Sequence, residues 1–244
     1  MKQKRTLVFG DIHGGLRALQ QLFERAKITI DDRLIFLGDY VDGWNESAET
    51  VQFLIKTAEN QECIFIRGNH DLWCGRWLEL GASNPVWEEH GGKSTKESYL
   101  KTGYIINENH KVFFQNLKNY YIHKNSKLFL HAGFTSIHGV EKEQNESDYY
   151  FDRTLWETAV AMDKHLKKTS ELYPKRLKHY NEIYIGHTPT INYGIDTPMN
   201  KANVWNIDTG AAFMGKLTCL DIETKEFWQS DVVQTLYPNE KGRN

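Results

Sequence analysis

Short apolar runs, each ending in a polar turn that contains glycine, recur along the chain. The runs lie at 6–9, 34–37, 63–66, 127–130 and 183–185. Runs of this length and composition are typical of strands that are buried on both faces. Between the first three runs, apolar residues recur at helical spacing, as at Leu16, Leu19 and Leu22. The first third of the chain is therefore predicted to be β-α-β-α-β with right-handed crossovers.

The remainder of the chain is less regular. Residues 155–177 have helical character, with Pro174 as a break near the end. From residue 204 onward, β-type runs separated by polar turns predict a meander of strands. No internal repeat and no linker rich in Pro or Ser interrupts the sequence. Residues 1–238 are therefore predicted to form one domain, and residues 239–244 a disordered tail.

Six side chains with oxygen or nitrogen donors stand in the turns that follow the five apolar runs. They are Asp11, His13, Asp39, Asn69, His131 and His187. In sheets with parallel strands, binding groups gather beyond the carboxyl ends of the strands. Taken singly, each residue is as common in an ordinary turn, but five such turns in order indicate a metal centre. Six donors without a cysteine suit Mn²⁺, Fe or Zn²⁺, in two sites that share a carboxylate.

Composition and charge remove several classes of function. The chain has 30 Lys and Arg against 32 Asp and Glu, a formal charge of −2, so no basic field would attract nucleic acid or an anionic membrane. The apolar runs are too short to cross a bilayer, and residues 1–9 lack an apolar region of signal-peptide length. Cys63, Cys74 and Cys219 are odd in number and form no CxxC pair, which favours reduced thiols and a cytoplasmic location.

The turn sequences resemble the signature of the calcineurin-like metallophosphoesterase superfamily. They are GDIHG at 10–14, GDYVDG at 38–43, GNHD at 68–71, HAG at 131–133 and GHT at 186–188. Within the superfamily the chain is similar to the phosphoprotein phosphatase branch, in its compact bacterial and phage form (lambda-phosphatase-like serine/threonine phosphatases). The resemblance implies an α/β (α+β) fold, with a central β-sandwich flanked by helices and a dimetal site at the strand ends.

The resemblance also implies a role for each candidate residue. One metal ion would lie on Asp11, His13 and Asp39, and the other on Asp39, Asn69, His131 and His187. Mn²⁺ is the expected ion, with Fe and Zn²⁺ as alternatives. A hydroxide shared by the two ions would attack phosphorus in line with the leaving oxygen. His70 would be the general acid, hydrogen-bonded to Asp42, and Asn69 would also contact the substrate.

The chain departs from the family pattern where arginines usually bind the substrate phosphate. Gly43 stands where the second motif normally has Arg, and the positions directly after Trp156 (Glu157 and Thr158) hold no Arg. The missing charge must come from another residue, for which the candidates are Arg153, Arg76 and Lys93. Alternatively, Arg153 pairs with Asp148 or Asp152 at the surface.

Three functions follow from these observations. The first is a metal-dependent phosphomonoesterase acting on phosphoprotein (Ser/Thr, alternatively Tyr). The second is a hydrolase of diadenosine tetraphosphate or another nucleotide polyphosphate, because Asp71 ends the third motif as in those enzymes. The third is a binding protein of the same fold with weakened turnover. The partner is thus a phosphorylated protein or a small phosphoester or nucleotide, and the oligomeric state stays open. Four tryptophans either wall a pocket for an aromatic leaving group or belong to the core: Trp44, Trp73, Trp77 and Trp87.

Overall fold

Two five-stranded β-sheets face each other in the computed structural model, which describes residues 4–243. The strands are β1 (Thr6–Phe9), β2 (Arg33–Phe36), β3 (Cys63–Phe65), β4 (Tyr120–His123), β5 (Lys127–Leu130), β6 (Glu182–Ile185), β7 (Met199–Lys201), β8 (Val204–Asn206), β9 (Lys216–Asp221) and β10 (Phe227–Val232). The helices are α1 (Leu16–Arg25), α2 (Ser47–Ala58), α3 (Asn69–Leu80), α4 (Pro85–Trp87), α5 (Lys93–Thr102), α6 (Glu108–Gln115), α7 (Asp148–Phe151), α8 (Thr154–Ala161), α9 (Lys175–Lys178) and α10 (Val233–Leu236). None of the helices within the described range is long and apolar enough to cross a membrane.

The first sheet has the strand order β10-β9-β1-β2-β3. Its strands β1, β2 and β3 are parallel, with Leu7 opposite Leu34 and Leu34 opposite Cys63. Helices α1 and α2 connect them, so the predicted β-α-β-α-β unit is confirmed. Strand β9 runs antiparallel to β1 and protects its other edge from solvent.

The second sheet has the order β4-β5-β6-β8-β7, with β5, β6 and β8 parallel. The predicted C-terminal meander is therefore divided, because β8 joins this sheet while β9 and β10 join the first. The chain crosses between the sheets in the turn at 207–215. Alternation of polar and apolar residues indicates a strand but not which open edge the strand will pair with.

The layer between the sheets explains why the strands are apolar on both faces. Val8, Ile35 and Leu220 from the first sheet pack against Phe129 and Tyr184 from the second. The rings of the last two stack at 4.7 Å. A second apolar cluster lies between the first sheet and its helices, and a third outside the second sheet. The predicted class, a β-sandwich flanked by helices, is confirmed.

The helix predicted for residues 155–177 ends much earlier than expected. Helix α8 stops at Ala161, and α9 begins only after Pro174. The carboxylate of Asp163 accepts the backbone N–H of His165 at 2.8 Å, a local turn that competes with helical hydrogen bonding. Polar side chains thus end a helix that apolar spacing alone would have continued.

The C-terminal segment (237–243) packs against the rest of the chain. The backbone N–H of Asn45 donates to Oε2 of Glu240 at 2.9 Å, and that of Arg243 donates to the carbonyl of Ala212 at 2.9 Å. The sequence predicts a disordered tail for residues 239–244. Of that range, the structure describes residues 239–243 as packed, and residue 244 lies outside the described residues.

His110 gives the fold a measurable pH dependence. It is fully buried between Tyr99 and Gln52, and burial lowers its pKa from 6.5 to about 4. The unfolded chain therefore binds more protons, so the stabilising effect is complete above pH 6.5 and is lost as the pH falls toward 4. We expect the free energy of unfolding of the metal-free protein to fall, between pH 7 and pH 5, by about 2 kcal/mol more than that of the His110→Gln variant. Urea titrations of both proteins test this, and parallel pH profiles would contradict it.

Candidate active site

The carboxyl ends of several strands and the start of α3 meet at one edge of the sandwich. Each predicted metal ligand lies there: Asp11 and His13 after β1, Asp39 after β2, Asn69 at the first position of α3, His131 after β5 and His187 after β6. Most of them line one cavity of about 260 Å³. The structure thus brings together six residues that are far apart in the sequence. Their role as metal ligands stays a prediction.

On one side of this centre, His13 faces two carboxylates. Its Nε2 lies 3.6 Å from Oδ2 of Asp39 and 4.0 Å from Oδ2 of Asp11. Its Nδ1 lies 2.7 Å from the backbone oxygen of Asp42, so Nδ1 carries the hydrogen and donates it. The lone pair of Nε2 then points to the centre, as a metal-binding imidazole requires.

On the other side, Asp39 faces two further histidines. Its Oδ2 is 3.4 Å from Nε2 of His131. Oδ1 of Asn69 lies 3.2 Å from the same nitrogen and 3.0 Å from Nδ1 of His187. Nδ1 of His131 is 2.9 Å from the carbonyl of Leu37, which fixes the tautomer here as well. Asp39 therefore lies between two groups of donor atoms.

These donors fit a pair of cations. Oδ1 of Asp11 is buried and has no hydrogen-bond partner, and a buried oxygen of this kind is costly unless a ligand or cation satisfies it. Two sets of side chains, with ligand atoms within 4.8 Å of one another, could each hold a metal ion: His13, Asp39 and His70, and Asp39, His131 and His187. Both sets share Asp39. Nitrogen and carboxylate donors without thiolate suit Mn²⁺, Fe or Zn²⁺.

The carboxylates at this centre keep a proton on His131, close to the place where a metal cation would lie. Burial alone would lower the pKa of His131, but Asp39 and Asp11 outweigh burial and raise it to about 10. Burial likewise opposes ionisation of Asp39, yet His131 and the neighbouring histidines hold its pKa well below the ordinary value. A metal ligand must be deprotonated, so metal binding releases this proton and weakens as the pH falls.

Four residues of the site have left-handed backbone conformations. The φ angles are 53° at His13, 52° at Asp39, 71° at Asp42 and 68° at His187. This region costs an L-residue roughly 1–2 kcal/mol, although Asp and His tolerate it better than most. Strain of this kind persists only where surrounding contacts impose it, and it concentrates at functional sites.

Asp71 supplies much of that constraint. Its carboxylate accepts the backbone N–H of Asp39 at 2.7 Å, of Tyr40 at 2.8 Å and of Gly68 at 2.8 Å. The side chain thus joins the turn after β2 to the start of α3. In the sequence, Asp71 is distinctive only as the last residue of the third motif, and its role in positioning Asp39 is visible only in the structure.

His70 and Asp42 form a buried pair beside the donor groups. Nδ1 of His70 lies 2.7 Å from Oδ2 of Asp42. The carboxylate also accepts the indole N–H of Trp87 at 2.6 Å and the hydroxyl of Thr95 at 2.6 Å. These bonds fix the imidazole ring and leave its Nε2 for the cavity, which His70 lines.

The pair holds one shared proton over a wide pH range. Burial lowers the pKa of His70 to about 3 and raises the pKa of Asp42 to about 8. Between these values the proton lies in the Nδ1–Oδ2 hydrogen bond, whichever atom formally carries it. The other imidazole hydrogen is then on Nε2, where it can be donated to a group in the cavity.

Arg153 lines the cavity with an exposed side chain. Within residues 4–243 this side chain has no hydrogen-bond or ion-pair partner. The alternative pairing with Asp148 or Asp152 is not formed, and Asp152 lies 3.8 Å from Arg176 instead. Arg153 is therefore free to contact a substrate. Of the other two candidates, Arg76 lines a different cavity.

The tryptophans belong mainly to the core. Trp44 and Trp87 are fully buried, and Trp77 packs on Trp87 with ring centres 5.8 Å apart. Trp73 is partly buried against the first-sheet cluster. Among the described residues, the aromatic side chain that lines the cavity is Phe213. A wall of tryptophans around the leaving group is therefore not formed.

Two charged residues in the cavity were absent from the sequence prediction. Asp208 follows β8 as Asp11 follows β1, and burial raises its pKa to about 6. The same pattern of an apolar run followed by Asp could have identified it. Arg243 reaches the cavity from the C-terminal segment. Arg243 belongs to no sequence motif, so only the structure could place it in the cavity.

A two-sheet sandwich with histidine and carboxylate donors at its strand ends has the arrangement of a protein that can bind metal ions at one edge of its sheets. The sequence profile of the calcineurin-like phosphoesterase family matches residues 4–212. The chain belongs to that family, whose members depend on two metal ions. The predicted superfamily and enzyme class, hydrolysis of phosphoester bonds, are thereby confirmed.

Relatives of this chain carry different activities in their names. Over 232 residues it is 25% identical to an asymmetrical bis(5′-nucleosyl)-tetraphosphatase of Anoxybacillus flavithermus, covering 87% of this chain and 88% of the relative. The fold matches that of a proposed diadenosine tetraphosphatase with a TM-score of 0.63, at 15% identity over 93% of each chain. It also matches a protein serine/threonine phosphatase of Saccharomyces cerevisiae with a TM-score of 0.60, at 14% identity over 93% of this chain and 79% of the other. These structural matches show the fold, and the predicted phosphoprotein phosphatase branch is not settled by them.

Proposed function

We propose that this protein is a metal-dependent phosphomonoesterase whose substrates are phosphorylated proteins. The observation that carries the proposal is the His70–Asp42 pair, 2.7 Å apart, beside two donor groups that share Asp39. A general acid next to a dinuclear centre is what phosphomonoester cleavage needs, because the leaving alkoxide must be protonated. A scaffold without turnover would not need the buried pair.

The proposed ligands divide into two sets with one common member. Asp11, His13 and Asp39 would hold one ion, and Asp39, Asn69, His131 and His187 the other. Mn²⁺ is the proposed metal, because the donors are a mixture of carboxylate, amide and imidazole. When bound, two such ions lower the pKa of a water molecule and neutralise charge on the phosphoryl oxygens.

The residues around the ions would orient the substrate and move the proton. His70 donates the hydrogen of Nε2 to the leaving oxygen, while Asp42 retains the ring orientation and stabilises the charge on Nδ1. Asn69 directs its Oδ1 toward the two histidines, so its amide nitrogen remains to donate to a phosphoryl oxygen. Arg153 contributes positive charge from the rim of the cavity.

The dimensions of the cavity favour a phosphate group at the end of a larger molecule. At about 260 Å³ it lies just below the roughly 300–1,000 Å³ of sites that enclose a drug-sized ligand. It accommodates a phosphoryl group and the first atoms of the leaving group. The rest of the substrate then lies outside, as for a phosphorylated side chain of a protein.

The second candidate function is hydrolysis of dinucleoside tetraphosphates. It is favoured by the resemblance over 87% of this chain to an asymmetrical bis(5′-nucleosyl)-tetraphosphatase. Phe213 beside the cavity offers a surface on which a base could stack. The cavity itself has few cationic side chains for a chain of four phosphates.

We propose the cytoplasm as the compartment. Cys63, Cys74 and Cys219 are free thiols in the structure, and the latter two are buried. Burial raises the pKa of Cys63 to about 12, so this thiol too is inert. Unpaired thiols of this kind suit a reducing environment.

A panel of substrates tests the proposed function. The protein, loaded with Mn²⁺, is assayed with p-nitrophenyl phosphate, phosphoserine, phosphothreonine and phosphotyrosine peptides, and diadenosine tetraphosphate, before and after chelation. We expect metal-dependent turnover with the highest kcat/KM on a phosphopeptide. A preference for diadenosine tetraphosphate would support the second candidate, and metal-independent or absent turnover on all substrates would contradict both.

A further inference from the structure

The C-terminal segment (237–243) carries a basic side chain into the candidate active site. The ring of Tyr237, the first residue of the segment, stacks on Trp44, with ring centres 5.2 Å apart. Gly242 packs so closely on the same indole that a Cβ there would lie 2.7 Å from the ring and 2.7 Å from the carbonyl of Ala212. The next residue, Arg243, donates its backbone N–H to that carbonyl. These contacts of Tyr237, Gly242 and its own backbone N–H fix the position of the Arg243 backbone.

The side chain of Arg243 lines the same cavity as the proposed metal ligands. Its guanidinium carbon lies 5.4 Å from the centre of the Phe213 ring. Nε is buried and has no hydrogen-bond partner, and within residues 4–243 no carboxylate forms an ion pair with the guanidinium. A guanidinium always carries N–H donors, and buried donors are normally paired. An unpaired one beside this cavity is available to donate to an anionic or oxygen-rich ligand.

Arg243 also occupies the space beside Gly43, where the resemblance implies an arginine. A Cβ at position 43 would lie 3.6 Å from Cγ of Arg243. Such a Cβ would also lie 3.0 Å from the carbonyl of His13, and the φ angle of Gly43 is 142°. An L-residue is strained in that conformation. Position 43 thus does not suit an arginine side chain. The adjacent Trp44 packs instead against the C-terminal segment, which supplies Arg243.

We propose that Arg243 binds the phosphoryl group of the substrate, as a clamp delivered from the C-terminal segment. This inference rests on the proposed function and deepens it. Nε–H and a terminal N–H of one guanidinium can donate to two phosphoryl oxygens at once, a geometry that lysine cannot reproduce. Arg153, the other arginine in the cavity, is exposed, whereas Arg243 is partly buried with its Nε shielded from solvent, so Arg243 is the more specific contact.

The test uses the full chain loaded with Mn²⁺ and two readouts. The first is the dissociation constant for inorganic orthophosphate, measured by calorimetry, and the second is the KM for p-nitrophenyl phosphate. Loss of a charge-assisted, bidentate contact is expected to raise both about 10- to 100-fold in the Arg243→Ala variant. Arg243→Lys should recover only part of the loss, since a point charge cannot bond two oxygens together.

Two further variants separate binding from folding. Gly242→Val displaces the segment through its contacts with Trp44 and Ala212, and it should weaken orthophosphate binding as Arg243→Ala does. Lys167→Ala, at an exposed lysine outside the cavity, removes the same charge and should leave both constants unchanged. The Mn²⁺ content and the melting temperature of the Arg243→Ala variant should remain near those of the wild type.

The outcomes distinguish this inference from the proposed function. Wild-type turnover with an unchanged KM and orthophosphate affinity in Arg243→Ala would overturn the clamp and leave the function intact. Orthophosphate binding that depends on Arg243, in a protein without turnover, would support the clamp and overturn the function. Failure of the wild-type protein both to bind orthophosphate and to turn over any of the substrates would overturn both.

Discussion

Replacement of His70 by asparagine is expected to lower kcat for alkyl phosphomonoesters about 100- to 10,000-fold, the usual contribution of a general acid. Asparagine retains an amide near Asp42 but cannot deliver a proton to the leaving oxygen. Because Asn69 and the other proposed ligands are untouched, the two Mn²⁺ ions should stay bound. Steady-state kinetics on phosphoserine peptide, together with metal analysis of the same samples, measures both quantities.

The dependence on the leaving group makes the role of His70 specific. A nitrophenolate leaves without needing a proton, so the loss on p-nitrophenyl phosphate should be much smaller than the loss on phosphoserine. His165→Asn, at an exposed histidine in the loop before α9, serves as the matched control and should behave as wild type. Equal losses on the two substrates, accompanied by loss of metal, would instead show that His70 serves as a ligand, as its place beside His13 and Asp39 also allows.

The sequence predicted the part of the site that local chain geometry determines. Asp11, His13 and Asp39 follow buried strands directly, and parallel strands in one sheet must end at the same edge. Their convergence therefore follows from strand order alone. His131 and His187 belong to the second sheet, and they approach because the two sheets pack face to face at β5 and β6. In both cases a residue next to a strand has little freedom in where it lies.

The partners of the catalytic pair depend instead on long-range packing. Trp87 and Thr95 come from α4 and α5, which approach the turn after β2 only in the folded structure. Neither residue belongs to a motif, and tryptophan in an irregular segment suggests core or pocket equally. The place of Arg243 in the cavity is even harder to predict from the sequence. It depends on contacts of Trp44 with a segment almost two hundred positions away. Composition made that segment look disordered, since it is short and polar.

The second large effect is expected for Asp39→Asn, because Asp39 is the one side chain that both donor groups share. An amide lacks the charge needed to balance two cations, so both ions should bind weakly. The loss of metal removes the activated water and the charge neutralisation at phosphorus together, and kcat/KM should fall at least about 1,000-fold. His131 also loses the carboxylate 3.4 Å from its Nε2, so the centre favours a cation less strongly, with Asp11 as the remaining proposed carboxylate ligand.

Thermal unfolding gives a measure of this effect that does not depend on activity. A ligand that binds only the folded chain raises the melting temperature, and the rise grows with the ratio of the free ligand concentration to the dissociation constant. Mn²⁺ should therefore stabilise the wild-type protein, whereas Asp39→Asn should show little change upon titration with Mn²⁺. Asp31→Asn removes a carboxylate from an exposed turn and should respond as the wild type does. If Asp39→Asn bound two Mn²⁺ ions with wild-type affinity, Asp39 would not bridge the ions, and the two donor groups would have to act as independent sites.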